Sequence, residues 1–65
     1  MNKDKLEILI DNQGLDAVLE LIGNICFEKS EHLAMNWQDE KSAKQWDRIA
    51  YVVHATARKV ATIQK

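Results

Sequence analysis

The stretch Met35-Asn36-Trp37-Gln38-Asp39-Glu40 separates two long segments whose apolar residues recur with helical period. Neither segment can bury its apolar stripe alone, so the fold depends on whether the chain turns back here. One uninterrupted helix of about 50 residues would extend roughly 75 Å. A coiled coil tolerates about one polar residue in its seam. The uninterrupted helix would place four there in succession: Lys29, His32, Asn36 and Asp39.

The stretch therefore favours a helical hairpin. Asn36 is suited to close the first long helix in a left-handed conformation. Asp39 is suited to cap the second helix, because its carboxylate can accept hydrogen bonds from early backbone N–H groups. Glu40 in the first turn suits the helix dipole. A connection of about three residues forces the two helices to be antiparallel neighbours.

Working outward, the periodicity predicts a short helix over Asp4–Asn12, a long helix from about Leu15 to Met35, and another from about Glu40 to Ile63. Gly14 can take a positive φ and end the first of them. The chain has no proline and no alternating strand pattern. We therefore predict one small all-α domain over residues 1–65, an antiparallel helical hairpin with a short N-terminal helix.

A fold point between Trp37 and Gln38 fixes which residues of the two long helices lie opposite each other. It places Lys29 opposite Trp46, where the lysine stem can cover the ring and the ammonium can reach the ring face. The other predicted seam pairs are Leu15 with Val60, Val18 with Ala57, Ile22 with Val53, and Ile25 with Ala50.

The apolar arcs of the two long helices, about 160° and 180° wide, exceed what a hairpin alone can hide. Exposed apolar patches of this size are unusual in monomers. We expect a homodimer, because two hairpins can form a four-helix bundle. The alternative is a monomer completed by the segment Leu6–Ile10. The residues predicted to stay uncovered are Leu21, Phe27, Ile49, Val52 and Ile63.

Trp37 lies at the tip of the predicted hairpin. It either folds back against Leu33 and Trp46 or projects as an anchor for a partner. Taken with the uncovered apolar residues, this predicts a non-enzymatic protein–protein interaction or regulatory protein acting through a helical surface. The predicted partner-binding residues are Trp37, Phe27, Leu21, Ile49 and Val52.

Charge is divided unevenly, although the net charge is only −1. Through Glu28 two bases face six acids, and from Lys29 onward seven bases face four acids. We expect the halves to attract each other, with the acidic start of the first long helix beside Arg58, Lys59 and Lys65. Nucleic-acid binding by Lys41, Lys44 and Arg48 near Trp37 is a third hypothesis, but Asp39, Glu40 and Asp47 lie among these bases.

Glu28, Glu31 and His32 are spaced to share a helix face. Carboxylates and imidazoles on helices hold metals in di-metal bundles, so a metal-dependent hydrolase centred on these residues is the alternative function. The Glu-x-x-His spacing of such bundles is absent, and an ordinary solvated face explains the cluster more simply. We predict no cofactor, no metal and no catalytic residue.

Three further residues invite interpretation. His54 lies at the edge of an apolar arc, either as a half-buried packing residue or as part of a pH-sensitive interface. Cys26 falls at a buried position where a thiol is usually inert. Gly23 lies inside a helix, at a cost of about 1 kcal/mol relative to alanine. The lone cysteine, the lack of a signal peptide and the lack of a membrane-spanning segment predict a cytoplasmic protein.

Overall fold

A computed structural model of the chain describes residues 2–64, which form three α-helices. They are α1 (Lys3–Gln13), α2 (Leu15–Asn36) and α3 (Glu40–Gln64). None of these residues lies in a β-strand. Helix α2 packs along α3, and α1 packs on α2. The predicted all-α fold with an antiparallel hairpin and a short N-terminal helix is therefore confirmed.

Helix α1 is defined by a cap at each end. The side chain of Asn2 accepts a hydrogen bond from the backbone N–H of Lys5 at 2.9 Å. At the other end Gly14 has a φ of 92°, and its N–H donates to the carbonyl of Ile10. A side chain at position 14 would be strained by that φ and would meet the carboxylate of Asp16. Gly14 thus ends α1 as predicted, and its own carbonyl starts α2 by accepting from Val18 N–H.

The turn between α2 and α3 differs in one detail from the prediction. Asp39 caps α3 as expected, because its carboxylate accepts from Ser42 N–H at 3.1 Å and its carbonyl accepts from Ala43 N–H. The left-handed residue, however, is Gln38, with a φ of 51°. Asn36 instead stays helical as the last residue of α2. The prediction for Asn36 was wrong because the helix continues one residue further and leaves the reversal to the loop.

The register of the hairpin agrees with the predicted fold point. The Nζ atom of Lys29 lies 5.4 Å from the ring centroid of Trp46. Between the helices, α3 buries Ala43, Ala50 and Ala57, one every seven residues. Small side chains on both helices allow their backbones to come close together. The buried residues of α2 are Val18, Gly23, Cys26 and Ser30.

Ser30 joins the two helices directly. Its Oγ donates a buried hydrogen bond to the carbonyl of Ala43 at 2.7 Å. A bond this close between a side chain and the opposite backbone is possible because the seam residues are small.

Ile22 and Ile25 lie outside this seam, contrary to prediction. They are 39% and 52% exposed. The alanine-lined seam is so narrow that only small residues fit between the helix axes, and the large aliphatic side chains are displaced to its flank. Ile22 and Ile25 therefore flank the seam and do not fill it, while their predicted levels opposite Val53 and Ala50 agree with the contact between Lys29 and Trp46.

The three helices form a single layer. The Cα atoms span 39 × 26 × 13 Å, and their radius of gyration is 13.6 Å, against about 11 Å for a compact chain of this length. Helix α1 contacts α2 but not α3, and it buries none of its residues fully. The segment Leu6–Ile10 therefore extends the layer at its edge and leaves the hairpin uncovered.

The predicted attraction between acidic and basic halves is nearly absent from the described residues. Within residues 2–64 the one ion pair between helices joins Glu20 and His54. Arg58 and Lys59 make no such contact with the start of α2, and Lys65 lies outside the described residues. The predicted contact of Arg58 and Lys59 with the acidic start of α2 is therefore not seen as an ion pair, and the wider attraction between the two halves stays a prediction. No described helix is both long and apolar enough to cross a bilayer.

Candidate interaction surface

Two contacts identify the two faces of the helical layer. Lys29 meets Trp46 on one side of the seam. Glu20 meets His54 on the other side. Side chains advance by about 100° per residue around each helix. The two contacts therefore assign all remaining positions on α2 and α3 to one of the two faces or to an outer edge.

The side marked by Lys29 and Trp46 is apolar along much of its length. We define the apolar face as its five large exposed aliphatic residues. Leu21 is 47% exposed, Ile22 39%, Ile25 52%, Ile49 43% and Val52 60%. All five are exposed although every described helix is in place, so residues 2–64 leave each of them at least one-third uncovered.

A groove indents the same side toward the hairpin tip. It has a volume of about 530 Å³ and is lined by Ile25, Glu28, Lys29, His32, Leu33 and Trp46. Its floor is apolar and its rim carries charge, as is usual for a surface that receives another chain. The side is therefore most apolar between Leu21 and Ile25 and becomes mixed near the tip.

The predicted partner-binding residues divide between three places. Leu21, Ile49 and Val52 share the apolar face, and each is exposed as predicted. Phe27, 48% exposed, lies on the opposite side. Ile22 and Ile25 complete the apolar face, although the sequence placed them in the seam. The signal that could have found them is the alanine repeat of α3, which implies a seam too narrow for isoleucine.

Trp37 lies at the tip and is 69% exposed. It folds back on His32, not on Leu33 and Trp46 as the sequence suggested. Its Nε1 donates to Nε2 of His32 at 3.1 Å, and the rings meet edge-on. The amide of Asn36 lies 2.7 Å from Nδ1 of the same imidazole.

Two side chains therefore hold the His32 ring at the tip. An indole N–H can only donate, so Nε2 of His32 accepts the hydrogen bond from Trp37. On the other side of the ring, Nδ1 faces the amide nitrogen Nδ2 of Asn36.

The cluster predicted for metal binding is not assembled. Both ring nitrogens of His32 are already engaged. Glu28 lies on the same side as His32, whereas the helical position of Glu31 directs it to the opposite side. Within residues 2–64 no three His, Cys, Asp or Glu side chains are grouped to hold a metal ion. The metal-dependent hydrolase stays a prediction that no observed contact favours.

The opposite side of the layer carries Phe27 and the polar His54–Glu20 pair. His54 Nδ1 lies 2.9 Å from Glu20 Oε2, and the imidazole lies over Gly23 of α2. A Cβ atom at position 23 would come within 2.7 Å of His54 Nε2. The glycine that looked costly in the sequence therefore makes room for this ring. His54 is half-buried, as its packing interpretation predicted.

The bases proposed for nucleic-acid contact lie along the outer edge of α3. Lys41, Lys44 and Arg48 line a shallow depression of about 390 Å³ together with Asp47 and Gln45. Cys26 is buried in the seam, as predicted.

Comparisons with protein-family models, with curated proteins and with solved structures found no match to this chain.

Proposed function

We propose that this chain is a non-enzymatic interaction protein that acts through its apolar face, and that the first partner of this face is a second copy of the chain. Two hairpins stacked through this face would form a four-helix bundle. The observation that carries the proposal is the exposure of Leu21, Ile22, Ile25, Ile49 and Val52 on one side of a one-layer fold. Stable domains bury such a face against a second layer.

The exposed area supports the proposal. The chain exposes 5355 Å², whereas a compact monomer of 7.5 kDa exposes roughly 4,250 Å². The excess of roughly 1,100 Å² is comparable with the approximately 800 Å² that each partner buries in a standard interface. A second hairpin offers an area of that size and the same chemical character.

Symmetry also favours a second copy. The apolar face draws on both long helices, so it is complementary to another layer of two helices. Two-fold association uses the same patch on both subunits and needs no other gene product. The unpaired thiol of Cys26 supports a place in the reducing cytoplasm, which we propose for this protein.

Light scattering coupled to size-exclusion chromatography tests the proposal. We expect a mass of twice the 7.5 kDa chain at micromolar concentrations. Ile25→Asp and Ile49→Asp, both at exposed positions, should give folded monomers, since a buried unpaired carboxylate opposes association.

Tyr51→Asp is the matched control, because Tyr51 is 73% exposed and lies outside the apolar face. It should remain dimeric. A wild-type chain that stays monomeric at high micromolar concentration would overturn the proposal. So would a dimer that both apolar-face variants leave intact.

A further inference from the structure

Two symmetric arrangements can bring a pair of apolar faces together. In one, the two-fold axis is parallel to the helices, so that α2 of one copy packs on α3 of the other and the hairpin tips lie at the same end. In the other, the axis crosses the helices, so that α2 packs on α2, α3 packs on α3, and the tips lie at opposite ends.

The charges on the outer edges of the layer distinguish these arrangements. The outer edge of α2 carries Glu28 and Glu31, whereas that of α3 carries Lys41, Arg48 and Lys59. Within residues 2–64 none of these five side chains forms an ion pair. Packing like helices together would bring acid to acid and base to base, whereas packing α2 on the partner's α3 brings opposite charges together.

We propose that the dimer has its two-fold axis parallel to the helices and that Glu28 faces the partner's Arg48. This inference rests on the proposed function, because it assumes that the apolar face receives a second copy. It goes further by stating which helix receives which, and by assigning a specific ion pair that recurs twice in the symmetric dimer.

The register of the hairpin gives the height of each contact, meaning its position along the helix axes. Lys29 and Trp46 lie at one level, as their 5.4 Å contact shows. A two-fold axis parallel to the helices preserves height, so Glu28 is level with the partner's Arg48. Glu28 lines the groove on the apolar side. Arg48 lies at the outer edge of α3, in the depression that it shares with Lys44, and its long side chain can reach a carboxylate of the partner from that edge.

The same rule places the apolar residues. Ile25 is level with Ala50 in the observed register, so it meets the partner's Ile49. Leu21 meets the partner's Val52 by the same reasoning. Large aliphatic residues thus pack across the dimer, whereas small residues pack within each hairpin. In this arrangement the partner covers the five residues of the apolar face, and the packing of α2 on α3 within each hairpin is unchanged.

A charge exchange tests the arrangement. Glu28→Arg and Arg48→Glu are made separately in the full chain, and helical content is checked by circular dichroism. Alone, each variant places two like-charged pairs in its homodimer, so we expect its dimer dissociation constant to rise about tenfold or more. Mixed in equal amounts, the two variants should form a heterodimer of near wild-type affinity, because one ion pair keeps its wild-type sign and the other is restored with reversed sign.

The matched control is Glu31→Arg with Lys44→Glu. These substitutions make the same charge changes on the same helices, but both positions are turned away from the stacked faces. They should neither weaken the homodimers comparably nor favour a heterodimer. Native mass spectrometry of the mixtures gives the populations directly.

A second measurement uses the hairpin tips. Spin labels at position 38, introduced by Gln38→Cys with Cys26→Ala, should lie within the 26 Å width of one layer. In the crossed arrangement their separation would approach its 39 Å length or exceed it.

The outcomes separate the two proposals. A monomeric wild-type chain overturns the proposed function. A wild-type dimer without preferred heterodimers, and with widely separated tips, leaves that function in place and overturns the parallel axis.

Discussion

The imidazole of His54 lies where a side chain on Gly23 would be, since a Cβ atom at position 23 would approach His54 Nε2 to 2.7 Å. The ring is held there by Glu20, at 2.9 Å from Nδ1. The three residues come from two helices, and together they define how closely α2 and α3 approach on the polar side of the layer.

Gly23→Ala should therefore have different effects on stability in two backgrounds. With His54→Ala, the substitution should stabilise the fold by about 1 kcal/mol through helix propensity. With His54 present, this gain should disappear, because the new methyl displaces the ring from Glu20. Urea unfolding of the four proteins of the double-mutant cycle measures the difference. Equal stabilisation in both backgrounds would show that His54 and Gly23 are not coupled.

Ala50→Leu should destabilise the fold by overpacking the seam. Ala50 is 2% exposed between two closely packed helices, and adding three carbon atoms there should cost about 1–3 kcal/mol or more. Ala55→Leu, at a half-buried position of the same helix outside the seam, is the control and should cost clearly less than Ala50→Leu. Thermal unfolding monitored by circular dichroism compares them, and similar melting temperatures would contradict the narrow seam.

Asp39 should contribute to stability in a way that depends on pH. The backbone N–H of Ser42, and then its hydroxyl, donate to this carboxylate and hold the pKa of Asp39 below its ordinary value. A lowered pKa in the folded state stabilises the fold above the ordinary value of about 3.9. This stabilisation is lost as pH falls through the folded-state pKa.

Asp39→Asn removes this pH dependence and keeps a capping side chain, since asparagine caps about as well as aspartate. Acid titration of unfolding should therefore show a shallower loss of stability below pH about 4 for the variant than for the wild type. Parallel titration curves would mean that another carboxyl group controls acid unfolding.

The fluorescence of Trp46 should report dimer formation independently of a mass measurement. It lies half-buried in the groove beside Lys29, so a second layer would remove it further from water. In a Trp37→Phe chain, its fluorescence emission should move to longer wavelength on dilution as the dimer separates. In a Trp46→Phe chain, Trp37 at the exposed tip should show no such change. Emission from Trp46 that is constant over the whole concentration range would argue against a covered groove.

Local patterns predicted much of this fold. The polar interruption before Trp37 excluded a continuous helix, and Asp39 caps α3 as the spacing requires. The opposition of Lys29 and Trp46 followed from the fold point alone. Each of these features depends on residues close in sequence or on helical period, and both can be counted along a chain.

Features that depend on the distance between helices were not predictable in the same way. Ile22 and Ile25 have the correct period for the seam, and only the close approach of the alanine residues excludes them from it. The role of Gly23 depends on His54, which lies on another helix. Gln38 replaces Asn36 in the left-handed position because one further helical residue costs little. The sequence predicted an excess of exposed hydrophobic surface. Which residues form the apolar face could be assigned only once the residues between α2 and α3 were known.

The burial of Cys26 gives the chain a built-in kinetic probe. The thiol is 6% exposed and is flanked by both long helices, so a bulky thiol reagent reaches it only after the helices part. At high reagent concentration, the labelling rate becomes the rate of opening itself, and it should slow under any condition that favours the closed form. The rate at which α2 and α3 separate can therefore be measured on the unmodified protein in solution, with no engineered label and no denaturant.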